Sequence, residues 1–134
     1  MVALLGVCAL VFPTAAVASD ASVRQTLRVG VAEIASTPDA TQLRRHLVVT
    51  IESLRCAHAT TAAGRRGRAL ALRGFTATLR GVETQLSMRV HDSGRLEAAV
   101  RDAKRADRHL DRGARLLRAA GRALGVRVGR VGGR

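Results

Sequence analysis

Catalysis and metal binding need titratable or nucleophilic side chains at workable spacing, and few residues in this chain qualify. Four histidines, His46, His58, His91 and His109, and two cysteines, Cys8 and Cys56, are the residues suited to ligate a metal or to serve as nucleophile and base. Cys56 and His58 lie two apart. On a helix, residues i and i+2 point to nearly opposite faces, so this pair cannot share an ion. His46, His91 and His109 have no Cys or carboxylate at a matching helical spacing. His109 instead follows Arg105 by one helical turn and precedes Arg112 by another, and both repel a cation. The chain has no Gly-x-Ser-x-Gly elbow, no Ser-x-x-Lys and no Gly-x-x-x-x-Gly-Lys-Ser/Thr phosphate loop. Asp107 and Asp111 share a helix face, as a general acid–base pair would, but arginines surround them and they read as surface ion pairs. No catalytic, cofactor-binding or metal-ligating residue is expected, and the chain reads as a non-enzyme.

The chemistry the chain does carry is that of guanidinium. Its 134 residues include 23 Lys+Arg against 10 Asp+Glu, a net charge of +13, and Lys104 is the single lysine. A GC-rich genome favours arginine codons over lysine codons, which accounts for the choice of base but not for the excess. A surface of this charge attracts polyanions in a salt-dependent way, and arginine grips phosphate and carboxylate through a two-pronged fork.

The arginines cluster in two places. The first is Gly64-Arg65-Arg66-Gly67-Arg68, read as an exposed basic turn. The second is a heptad. With Leu96 at position a, the a positions are Leu96, Ala103, Leu110, Leu117 and Leu124, and the d positions are Ala99, Ala106, Gly113 and Ala120. The same register puts Arg101, Arg108, Arg115 and Arg122 at f, facing away from the seam, with Arg105 and Arg112 at c. Successive f residues lie about 10.5 Å apart along the axis. Glu97–Arg101 and Asp111–Arg115 are expected i,i+4 pairs that offset part of the charge. Arg65, Arg66, Arg68, Arg101, Arg105, Arg108, Arg112, Arg115 and Arg122 are therefore the candidate surface for an anionic partner: an envelope polymer, a lipid headgroup or an acidic protein.

Elements that position these residues follow from periodicity. Val23, Leu27, Val31 and Ile34 mark a helix over about 20–35. Ser36-Thr37-Pro38-Asp39 ends it, with Thr37 as the N-cap and Pro38 as the first residue of a second helix over about 38–62. That helix has Leu43, Leu47, Ile51, Leu54 and His58 on one face, and Cys56 reads as a small buried hydrophobe. A third helix, about 69–91, carries Leu72, Leu79 and Leu86 with Phe75 and Val82 in the alternate seam, and Gly74 and Gly81 seven apart suggest close approach of another backbone. Asp92 or Ser93 caps the fourth, which Gly125 ends. The expected fold is all-α: an up-down antiparallel bundle of three long helices and one shorter, over 19–125, followed by a flexible basic tail over 126–134. The apolar residues are mostly Ala, Val and Leu, with two Phe and no Trp or Tyr, so the core should be thin. A second copy of the chain could complete it along the seam over 93–124.

The first eighteen residues differ from the rest. Met1–Ala18 has no charged side chain, Leu4–Phe12 is an apolar run, and Ala16-Val17-Ala18 places small residues at −3 and −1 before Ser19. This is the pattern of a signal peptide cleaved after Ala18, although no Lys or Arg precedes the apolar run. Cleavage removes Cys8 and leaves Cys56 without a partner for an internal disulfide. The expected role is a small exported binding or structural module at the cell envelope. The alternative is an intracellular, non-specific nucleic-acid-associated protein that keeps its N-terminus. Base stacking requires aromatic residues, and Phe12 and Phe75 are the only ones here, so sequence-specific reading of nucleic acid is not expected.

Overall fold

A computed structural model describes residues 12–90 and 96–129, with side chains over 20–88 and 96–129. Within them the chain forms a helical bundle: α1 (Phe12–Ser36), α2 (Ala40–Cys56), α3 (Ala62–Val90) and α4 (Leu96–Leu124), with no strand among the described residues. The apolar run over 4–11, the proposed caps Asp92 and Ser93, and His91 lie outside the described residues. No described helix is long and apolar enough to cross a membrane.

The principal interface joins α3 to α4, and the heptad explains it. Leu124 sits against the Cα of Gly67, Leu117 against Gly74 and Leu110 against Gly81. Both partners repeat every seven residues, so Leu110, Leu117 and Leu124 each meet a glycine where α3 has no side chain to hold them off. Leu117 and Leu124 are buried, as are the d positions Ala106, Gly113 and Ala120. Gly113 brings the two backbones closest. A Cβ added there would lie 3.0 Å from the Gly74 carbonyl oxygen and 3.1 Å from the Thr78 nitrogen. Toward its N-terminus the seam is unfilled, with Leu96 82% exposed and Ala99 and Val100 also exposed. From Ala106 onward the seam is satisfied within the chain, so α4 does not offer its whole length to a second copy.

On the other side of α3, Phe75 is the largest fully buried side chain among the described residues. Gly30 of α1 leaves the space that its ring and the Thr50 methyl of α2 occupy. Val23 and Leu27 of α1 and Leu47, Ile51 and Leu54 of α2 complete the core around it. Of the faces expected for these two helices, Val23, Leu27, Leu47, Ile51 and Leu54 are buried and Val31, Ile34 and Leu43 are half-buried against the same core.

Several boundaries differ from expectation, some set by local caps and some by distant residues. The Gly64–Arg68 stretch is the first turns of α3, not a loop, and Gly64 and Gly67 are buried. The break lies at residues 57–61, where Thr61 caps α3 by accepting from the Gly64 N–H at 2.8 Å. Helix α2 ends at Cys56 because Arg68 donates to the carbonyls of Leu54 and Arg55, both at 2.7 Å. Cys56 is consequently exposed, and His58 is an exposed loop residue that shares no helix face with Leu54. At the start of α2 the cap is Asp39, accepting from the Gln42 N–H at 2.7 Å, while the Thr37 N–H closes the last turn of α1 on Glu33. Pro38 disfavours helical backbone at Thr37, which separates the two helices.

The segment after α4 is not loose from its start. Gly125 adopts φ +66, the Val126 N–H reaches the Gly121 carbonyl at 2.8 Å, and the Gly125 N–H faces Arg122 at 3.4 Å. This is a Schellman turn. It folds Val126 and Val128 back onto the core, where Val126 is 6% exposed.

Gly113→Ala should therefore behave opposite to helix propensity. In an open helix the change gains about 1 kcal/mol. Here overpacking against the α3 backbone should lower unfolding free energy by about 1–3 kcal/mol, read from the urea midpoint by circular dichroism. A raised midpoint would mean that the two backbones do not meet at Gly113.

Candidate functional site

Three polar arrangements in the fold invite a chemical reading. The first is Asp20, a carboxylate only 3% exposed near the start of the described side chains. It accepts from the Thr61 hydroxyl through Oδ2 and from the Thr60 N–H through Oδ1 at 3.1 Å. Gly64 leaves the space the carboxylate fills. The Thr61 hydroxyl is the main cause that holds its pKa below the ordinary 3.8, while burial pushes the other way and the Thr60 and Thr61 N–H groups and Arg24 assist. α3 has no acid in its own first turn. Asp20 supplies that negative charge from α1 and complements the helix dipole. One turn further, Arg24 donates its Nε–H to the Leu124 carbonyl at 3.0 Å, the opposite end of α4's dipole. Asp20 is thus a structural clamp, ionised and fully occupied.

The second arrangement joins residues that spacing alone did not connect. Nδ1 of His46 lies 2.7 Å from Oε2 of Glu33, and the Thr37 hydroxyl lies 3.4 Å from the same Oε2. These are the acid, imidazole and hydroxyl of a triad, but the geometry is not that of a relay. Thr37 faces Nδ1 at 3.5 Å, the nitrogen that already faces Glu33, so the hydroxyl has no path to the base through Nε2. The trio pins the α1–α2 junction. Helical spacing missed the pair because His46 and Glu33 sit on different helices. No cluster of three metal-ligating side chains occurs among the described residues.

The third arrangement is the arginine surface. Arg101, Arg105, Arg108, Arg112, Arg115 and Arg122 are all exposed on α4, and Arg65 and Arg66 are exposed on α3. The expected pairs Glu97–Arg101 and Asp111–Arg115 are not formed. The ion pairs among the described residues are Arg44–Glu83 at 3.2 Å, Arg55–Glu52, and His46–Glu33 when the ring is protonated. Arg68 departs from the proposed surface, because it is half-buried and spends its guanidinium on the end of α2. Arg65 turns one N–H to the Thr60 carbonyl.

The fold also draws some of these arginines into grooves. Arg66 and Arg122 line a shallow groove of about 490 Å³ between α3 and α4, with Ala62, Leu70 and Ala119 in its walls. Arg112 joins Arg55, Arg73, Arg80 and His109 around another, of about 410 Å³. Arg55, Arg73 and Arg80 had no sequence signal as a group, since they come from two helices and only tertiary packing assembles them.

No family model matches the chain, and no curated protein or solved structure is similar to it.

The Asp20 clamp carries a pH signature. Its folded pKa is depressed, so its contribution is fully present above the unfolded value near 3.8 and is lost as pH falls through the lower folded value. Asp20→Asn should lower stability at pH 7 and flatten the acid limb of the stability–pH curve below about pH 4. Parallel acid limbs for the two proteins in urea titrations would remove Asp20 from this role.

Proposed function

We propose that this chain is a small exported, non-catalytic helical module whose arginine face on α4 holds an anionic polymer at the cell envelope. One observation carries the reading. The f-position arginines Arg101, Arg108, Arg115 and Arg122 are exposed and have no ion-pair partner among the described residues. Uncompensated guanidinium groups at regular spacing along one helix suit a repeating anion, which gains affinity by releasing its counterions. A lipid headgroup or an acidic protein is the other kind of partner such a face accepts.

Export rests on the uncharged run over 1–18 and on Ala16-Val17-Ala18. In the fold the proposed cleavage point lies within α1 (Phe12–Ser36), so processing after Ala18 would shorten that helix from its N-terminal end. The bundle is proposed to be up-down and antiparallel. The support is that α4 partners fall from Leu124 to Leu110 as α3 positions rise from Gly67 to Gly81. A basic tail over 126–134 is proposed to extend the cationic surface beyond the docked valines, through Arg127, Arg130 and Arg134.

Two measurements test this reading. Intact-mass analysis of native protein from cell and medium fractions should find a chain beginning at Ser19 outside the cytoplasm. A chain beginning at Met1 inside the cell would transfer the arginine face to intracellular nucleic acid. The triple variant Arg101→Ala/Arg108→Ala/Arg115→Ala should keep its helical spectrum and bind dextran sulfate more weakly. Its slope of log affinity against log salt should fall by about 1 per arginine removed. An unchanged slope would place the polymer elsewhere on the molecule.

A further inference from the structure

We propose that the groove between α2 and α4 over the outer face of α3 is a binding site for a small amphipathic phosphate, a single phosphate head on one short apolar tail. α2 and α4 both pack on α3 but do not approach each other. The strip of α3 between them therefore forms a floor with a helix on either side. Steps of 100° per residue place Arg73, Thr76 and Arg80 on the part of α3 turned away from buried Phe75.

The groove has two halves of different chemistry. Its apolar part is Ile51, Leu72, Ala77 and Leu116, with Ile51 and Ala77 nearly buried and the two leucines half-buried. Its polar part is Arg55, Arg73, Arg80, Arg112, His109 and Thr76, and no carboxylate lines it. Arg55 is partly offset by Glu52, but the guanidinium groups of Arg73, Arg80 and Arg112 have no hydrogen-bond or ion-pair partner among the described residues. The Thr76 hydroxyl is also unspent. Thr26, Thr78 and Thr84 each bond back to the carbonyl four residues earlier, and Thr76 does not. Three convergent guanidinium groups with free donors, a hydroxyl and an imidazole match the several oxygens and the double charge of a phosphate monoester better than a single carboxylate. Small-ligand sites combine an apolar lining with a few placed polar groups, within about 300–1,000 Å³. At about 410 Å³ this groove holds one small ligand, and a two-chain lipid would leave its chains in water.

The proposal does not depend on export or on the f-position stripe, which lies on other residues. Calorimetric titration of the full chain with octyl phosphate, inorganic phosphate and octyl glucoside tests it. Octyl phosphate should bind at least tenfold more tightly than inorganic phosphate, and octyl glucoside should not bind measurably. Arg73→Ala/Arg80→Ala, two exposed positions whose loss leaves the core intact, should weaken octyl phosphate at least tenfold. Arg108→Ala/Arg115→Ala should change it less than threefold. Equal affinity for octyl phosphate and inorganic phosphate would overturn the role of the apolar floor and with it the proposal. Equal losses from the two double variants would reduce the effect to general charge and overturn it too. Binding only to vesicles containing phosphatidic acid, with none to octyl phosphate, would replace a small-ligand site by a membrane surface.

Discussion

The contact on which the rest of the structure depends is leucine on glycine. Leu110, Leu117 and Leu124 of α4 rest on Gly81, Gly74 and Gly67 of α3, at matching seven-residue intervals. A protein with two phenylalanines and no tryptophan or tyrosine has little bulk with which to fill space between helices. It builds a thin core instead by removing side chains from one helix, so that the other comes close and dispersion contacts are made backbone to side chain. Gly113 does the same in reverse, opening α4 to the α3 backbone at Gly74 and Thr78. Glycine within a helix costs about 1 kcal/mol each, and close packing is the compensating gain. With the inner face of α4 committed to this seam, its f and c positions are necessarily turned outward.

A polar clamp at one end of this seam complements it. Asp20 and Arg24, one turn apart on α1, meet the start of α3 and the end of α4, and Arg68 meets the end of α2. Each charge faces the helix terminus of opposite sign, and each satisfies backbone groups that a helix cannot satisfy itself. Three helix ends are therefore held by side chains from other helices. Of these, the end of α4 was legible in Gly125, whereas the end of α2 and the start of α3 carried no such local signal.

How far the sequence was legible follows from that distinction. Short-range periodicity exposed the apolar faces of α1 and α2, the α4 heptad, and the close approach at Gly74 and Gly81, because each is written within one helix. The glycine column continues to Gly67, at the same interval, but Gly67 lies among three arginines and that composition reads as a turn. Thr61, the true cap of α3, stood in a stretch with neither Gly nor Pro from 57 to 61. The start of α3 is held by Asp20, 41 positions before Thr61, and the end of α2 by Arg68, 14 and 13 positions beyond the two carbonyls it meets. The cationic groove was invisible for the same reason, since Arg55, Arg73, Arg80 and Arg112 come together only when α2 and α4 flank α3.

The outward position of an arginine is by itself weak evidence of function. A codon-driven excess would also end on the surface, because an inward arginine would destroy the seam. Two features go beyond that expectation. Acids at i,i+4 from the α4 arginines are present in the sequence, yet Glu97 and Asp111 form no ion pairs with them, so the face keeps its charge. And the arginines divide by environment. Arg24 and Arg68 are half-buried or directed at carbonyls and serve the fold. Arg73, Arg80 and Arg112 surround an apolar floor with donors unspent, an arrangement that helps neither packing nor capping. An anion placed among them could be gripped by guanidinium donors from more than one helix at once. Donors of that kind, drawn from three helices around one apolar floor, separate a groove suited to a ligand from a surface that is merely basic.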